Sequence, residues 1–152
     1  MNLKARNCVA LVALMVTVRL VQASPPQVAA GDAAEAVKAA ETGARAWLTL
    51  VDKGQVGASW DEASTHFKLS VTKDAWEKAL RQARAPYEPM GARERTLAEL
   101  RTELPNAPPG RYVFFQYRTA VAGGKHAIET VIMMADGERG WRVAGAFIRP
   151  EQ

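Results

Sequence analysis

"ARERTLAELRTEL", residues 92–104, decides the fold, because it can be read as either of two elements. Leu97, Leu100 and Leu104 recur at helical spacing among good helix formers, while Thr96, Ala98, Leu100, Thr102 and Leu104 alternate as a half-buried strand would. Local propensity favours the helix. Downstream the pattern is clearer. After the breaker "PNAPPG" (105–110) come three β-rich runs, "RYVFFQYRTAV" (111–121), "KHAIETVIMM" (125–134) and "GWRVAGAFIR" (140–149), joined by Gly123-Gly124 and by "DGERG" (136–140). Residues 92–104 therefore either add a fourth strand or stand apart as a helix.

A two-residue turn at Gly123-Gly124 would place Arg118 opposite Glu129. Alternation then assigns Val113, Phe115, Tyr117, Thr119, Ile128, Thr130, Ile132, Met134, Trp141, Val143, Gly145 and Phe147 to the core face. The other face takes Phe114, Gln116, Arg118, Glu129, Val131, Met133, Arg142, Ala144, Ala146 and Ile148. That mixture is too apolar for a solvated surface and too polar for a core, and it reads as an interface.

Upstream, the chain reads as helices. Asp32 and Glu35 form a D-x-x-E capping box, and Val37, Ala40, Ala44, Trp47, Leu48 and Val51 keep helical spacing, predicting a helix over 33–52 that Gly54 stops. Ser59 and Glu62 form a second box, predicting a short helix over 60–66. Thr72 caps a third helix, with Val71 and Trp76 placed as a hydrophobic staple and Pro86 ending it near Arg84. The dense tract "AWLTLVDKGQVGASWDEASTHFK" (46–68) is on this reading architectural: one helix ends in it and another begins.

With 152 residues the chain suits one domain. Lys4 and Arg6, the apolar run Cys8 to Val18 and the small-residue end at Ala23 have the order of a secretory signal peptide, so 1–23 is expected to be removed and the product to be periplasmic or secreted. Eleven apolar residues are too few to span a membrane, so no stable anchor is expected after cleavage. "SPPQVAAG" (24–31) reads as a flexible leader, and 32–150 as a single α+β domain. Cleavage removes Cys8, the only cysteine, and with it any disulfide or thiol chemistry. It also removes Lys4, Arg6 and Arg19, leaving 17 of the 20 basic residues against 16 acidic ones, so the net charge falls from +4 to +1 and nucleic acid is not an expected partner.

The blocks "AWLTLVDKG", "SWDEAS", "HFK", "VTKDAWEKAL", "LPNAPPGRYVFFQYRT", "ETV" and "GWRVAGAFI" together resemble a bacterial family catalogued as domain of unknown function 4019, over about residues 45–148. The resemblance implies a small exported α+β protein whose fold is like the cone of the nuclear-transport-factor-like and cystatin-like group, with N-terminal helices on a curved antiparallel sheet of about four strands. It also implies that "ERTLAELRTEL" is a strand. It brings no catalytic residues with it.

The candidate sites are weighed against plain structural roles. His66 and His126 have no ligand-spaced partner, so no metal is expected. Asp52, Asp61 and Glu62 could pair as carboxylates for acid–base work, but Asp61 and Glu62 suit a helix first turn, where negative charge is stabilised. Trp47, Trp60, Trp76 and Trp141 read first as core. Arg118, Glu129, Phe114, Met133, Trp60 and Tyr117 are the candidate ligand- or partner-binding residues. No P-loop, dinucleotide fingerprint, nucleophile elbow or metalloprotease helix is present, and no cofactor is expected. The reading is a non-enzymatic module that binds a partner protein or a small apolar ligand and can pair with a second copy through the outer sheet face. The alternative is an enzyme of the same fold with Glu129 as base and Arg118 or Arg84 holding an anion.

Overall fold

The computed structural model describes residues 30–152; the signal-like segment and most of the expected leader lie outside the described residues. Four helices precede four strands: α1 (Ala30–Asp52), α2 (Val56–Asp61), α3 (Thr65–Ser70), α4 (Lys73–Arg84), β1 (Arg93–Arg101), β2 (Tyr112–Val121), β3 (Lys125–Ala135) and β4 (Trp141–Pro150). The strands form one open antiparallel sheet in the order β1-β2-β3-β4. The helices lie on one face, giving an α+β domain. Among the described residues no helix is long and apolar enough to cross a membrane.

Within residues 92–104, Arg93–Arg101 form a strand, against local propensity. A helix would have gathered Leu97, Leu100 and Leu104 on one side. Pairing with β2 instead turns Ala98 and Leu100 towards the core and leaves Leu97 exposed. A bulge at Thr96, between the Arg95↔Tyr117 and Leu97↔Gln116 pairs, resets the alternation there, so Arg93 and Arg95 also point to the helix side. Tertiary pairing outweighs a propensity difference that is under about 1 kcal/mol per residue.

The helical patterns place α1 well. It begins at Ala30 instead of Ala33, taking the last two leader residues, and Gly54 follows with φ 72°. Its buried stripe, Ala36, Ala40, Ala44, Trp47, Leu48 and Val51, lies across the sheet. A Cβ at Gly43 would sit 3.0 Å from Met133 Cε and from the Trp141 carbonyl, so this glycine sets how closely α1 approaches β3 and β4. The Thr72 cap holds: its hydroxyl accepts from Ala75 N–H at 3.3 Å, and α4 ends at Arg84 before Pro86. The Ser59–Glu62 box does not form. Ser59 is inside α2, fully buried, donating to the Val56 carbonyl at 2.6 Å and accepting from Trp76 Nε1 at 3.0 Å. The cap in use is Ser64, whose hydroxyl accepts from Phe67 N–H at 3.2 Å and opens α3. Burial beside two tryptophans is what takes Ser59 out of the capping role.

The register of β3 corrects the expected faces. β2 and β3 are joined by three residues, Ala122 to Gly124, with both glycines at positive φ, so Val121 pairs with Lys125 and Tyr117 with Glu129; Arg118 faces Ile128. One extra turn residue shifts the strand by one and flips every β3 side chain. Ala127, Glu129, Val131 and Met133 are therefore buried under the helices, and Ile128, Thr130, Ile132 and Met134 lie on the outer face. On β4, Val143 is buried as expected. A bulge at Ala144, between the Met133↔Val143 and Ile132↔Gly145 pairs, then puts Ala146 and Ile148 inside and leaves Phe147 outside, 65% exposed.

Candidate functional site

Where α1 and α4 end over the sheet, five side chains from five elements meet: Asp52 (α1), Arg84 (α4), Arg93 (β1), Thr119 (β2) and Glu129 (β3). Arg84 arrives because it continues the buried α4 stripe Trp76–Leu80–Arg84, one turn apart each time. Arg93 and Thr119 face one another across β1 and β2, and Glu129 lies on the same inner face.

Glu129 is 4% exposed and accepts four hydrogen bonds. Its Oε1 accepts from Arg84 Nη1 at 3.1 Å and Arg93 Nη2 at 3.3 Å; its Oε2 accepts from Arg93 Nε at 2.6 Å and Thr119 Oγ1 at 2.7 Å. Asp52 takes Arg84 Nη2 at 2.8 Å and Arg93 Nη1 and Nη2 at 2.6 and 2.8 Å. Two carboxylates and two guanidiniums thus cancel within one knot. Every acceptor direction of Glu129 is taken, which leaves no lone pair aimed at a substrate proton.

Burial alone would push the Asp52 carboxyl up, but the hydrogen bonds and charges of Arg93, then of Arg84, outweigh it and hold the group below its ordinary range. Arg93 is shifted up: burial opposes its charge, and its bonds to Asp52 and Glu129 more than compensate. Because the Asp52 pKa is lower folded than unfolded, its stabilisation is present above about pH 4 and is lost as pH falls through the folded value. Asp136 acts in the same direction; burial is outweighed by the Thr65 N–H and O–H groups and by Arg139. Urea midpoints measured from pH 5 down to pH 2 are therefore expected to fall, and Asp52→Asn to flatten that fall. An equally steep fall in Asp52→Asn would remove Asp52 from the knot.

Among the pockets that α1 lines, two lie on its opposite flanks. On the β4 side, Gly43, Ala46, Trp47 and Leu50 face Met133, Trp141 and Val143 around about 300 Å³, with the Glu62–Arg142 ion pair at the rim. On the β1 side, Arg45, Leu48, Thr49 and Asp52 face Arg93 and Tyr117 around about 240 Å³. The first is apolar, the second polar.

The candidate residues named from sequence do not converge on one place. Glu129 and Tyr117 are cross-strand partners on the inner face, contrary to the outer position expected for Glu129. Met133 is likewise inside, in the apolar pocket. Arg118 and Phe114 are on the outer face, where Arg118 donates to Glu151 at 2.7 Å and Arg101 stacks over Phe114 at 5.0 Å. Trp60 is half-buried and donates to the Val71 carbonyl at 2.8 Å, with Lys68 over its ring at 5.6 Å. Arg93 and Thr119 are not among the ligand-binding or catalytic candidates of the sequence, and Asp52 enters there only as a carboxylate beside Asp61 and Glu62. The signal was a polar residue falling in phase with a buried apolar period, as Arg84 and Thr119 do. Among the described residues no three His, Cys, Asp or Glu side chains gather as a metal site would require.

A family model described as "Protein of unknown function (DUF4019)" matches residues 43–146, about two thirds of the chain. The chain belongs to this family. The matched segment runs from within α1 to β4, so the family region contains the whole charge knot together with Trp47 and Trp141. No curated protein and no solved structure matches the chain.

Proposed function

We propose that this member of the family is an exported binding module, and that it holds a small apolar ligand in the pocket between α1 and β4. The observation that carries the reading is the pocket itself: Trp47, Trp141, Met133 and Leu50 provide an apolar wall around about 300 Å³, and the Glu62–Arg142 pair supplies a polar edge. That volume and that wall, with few polar groups, are what a small-molecule site needs. The reading as a binder instead of an enzyme is supported by Glu129, the inner-face carboxylate a reaction would use, being fully engaged by Arg84, Arg93 and Thr119. Export rests on the order of charged, apolar and small residues in 1–23.

The test is a calorimetric titration of the chain from Ser24 with indole, an uncharged two-ring aromatic, beside the variant Ala46→Phe. Ala46 is exposed at the pocket wall, so a phenyl ring there occupies the space without disturbing the core, and stability should stay within about 0.5 kcal/mol. Saturable binding that weakens about tenfold or more in Ala46→Phe is expected, the loss of roughly 1.4 kcal/mol of apolar contact. No saturable binding, or equal binding by the variant, contradicts the proposal.

A further inference from the structure

Tyr117 is 2% exposed, and its hydroxyl finds no hydrogen-bond partner among the described residues. A buried hydroxyl left unpaired is costly, and natural structures seldom keep one without a use. This one lies at the wall of the polar pocket on the β1 side of α1. Its neighbours are charged: Glu41, Arg45, Arg93 and Arg95 all act electrostatically on the phenol.

We propose that this pocket is a second site, on the opposite flank of α1 from the apolar one, and that it takes a small monocarboxylate. Three features define the class. The donors are Tyr117 O–H at depth, the guanidinium of Arg45 and the one Arg93 Nη1 hydrogen not held by Asp52 or Glu129. The local charge is one positive unit, because Arg84 and Arg93 cancel against Asp52 and Glu129 while Arg45 and Arg95 stand against Glu41, which suits a single negative charge better than a doubly charged phosphate. Leu48 and the aliphatic stems of the arginines leave room for a short apolar body within about 240 Å³.

The way in is Arg45. Its side chain is 67% exposed and is held by Glu41 at 2.7 Å; Glu41, 19% exposed, keeps Arg95 as its partner when Arg45 leaves. Releasing Glu41 frees Arg45 to turn onto the incoming carboxylate while uncovering Tyr117. Arg93 need not move, since its ties to Asp52 and Glu129 hold it at the pocket wall. The proposal does not rest on the apolar pocket and fails or stands separately from it.

The experiment titrates the chain with sodium benzoate, benzamide and inorganic phosphate, in the wild type and in Ala46→Phe, which closes the other pocket. Benzoate is expected to bind saturably in both, more tightly than benzamide or phosphate. Tyr117→Phe is expected to fold with an unchanged or raised Tm, because no protein hydrogen bond is lost, and to bind benzoate about tenfold more weakly, the ratio for one hydrogen bond to a charged group. Arg45→Gln should weaken benzoate similarly. The proposal is overturned by any one of four results: no saturable benzoate binding, benzamide or phosphate binding as tightly as benzoate, unchanged benzoate affinity in Tyr117→Phe, or a marked fall of Tm in that variant.

Discussion

Glu129→Ala is expected to lower the free energy of unfolding by about 3–5 kcal/mol, the cost of removing one partner from a buried ion pair. Arg84, 6% exposed, would lose the acceptor for Nη1 and keep Asp52, itself 37% exposed at the side chain and shared with Arg93, and the exposed Glu88 3.8 Å from its Nε. A buried guanidinium without compensation costs far more than the pair contributed while intact. Urea denaturation of the wild type and variant measures the difference. The double variant Arg84→Met with Glu129→Leu should recover part of the loss, since it removes both charges and fills their volume; the cycle of single and double variants isolates the coupling. A loss below about 1 kcal/mol in Glu129→Ala would mean that the knot carries no stability and that Glu129 is held there for another purpose.

The second large effect is expected at Trp47. Trp47→Ala should cost about 3–5 kcal/mol, the range for deleting a large buried aromatic and leaving a cavity. Trp47 is buried between α1 and the sheet, its ring centroid is 6.1 Å from that of Trp76, and its indole N–H donates to the Ser59 carbonyl at 2.9 Å. Phe67 meets Trp76 edge-on at 5.0 Å, so one deletion loosens a chain of aromatic contacts running from α1 to α3. Trp47→Phe keeps most of the volume and loses only the hydrogen bond, and should cost about 1–3 kcal/mol. Thermal unfolding of the two variants separates packing from hydrogen bonding. If both cost the same, the ring is not a packing element.

Helical periodicity was enough to find α1 and α4, because long apolar stripes at a fixed spacing survive any tertiary arrangement: Ala40, Ala44, Trp47, Leu48 and Val51, then Trp76 and Leu80, are buried as their spacing demands. The short helices failed on a local rule. The S-x-x-E motif at Ser59 reads as a cap, but Ser59 is buried between Trp47 and Trp76, and the cap that forms is Ser64. β1 needed the family resemblance, since a strand at a sheet edge is stabilised by its partner β2 and not by its own residues.

The site was lost at a single residue. Counting Gly123-Gly124 as the whole turn puts Glu129 on the outer face; counting Ala122 as part of it brings Glu129 beneath the helices. Strand parity depends on turn length alone, and two consecutive glycines at positive φ fit more than one turn. In the expected register the core face held Ile128, Thr130, Ile132 and Met134 and the outer face Val131 and Met133, so apolar content did not choose between them. What chose was an acidic partner for Arg84, a charge in phase with the buried stripe of α4. A basic residue on a buried helix face requires a buried carboxylate, and Glu129 is the inner-face carboxylate that answers it.

On the proposed reading, this fold holds a small apolar ligand between Trp47 and Trp141, beside a charge knot that serves structure. The most direct measurement is a ¹⁵N–¹H spectrum of the four tryptophan indoles during titration with unlabelled indole. The resonances of Trp47 and Trp141, which line the pocket, are expected to move to saturation, while that of Trp60, tied to the Val71 carbonyl outside it, stays in place. The same two shifts should persist in a Glu129→Gln variant that remains folded. Shifts of all four indoles together, or of none, would contradict the account, and so would a loss of the Trp141 shift in folded Glu129→Gln.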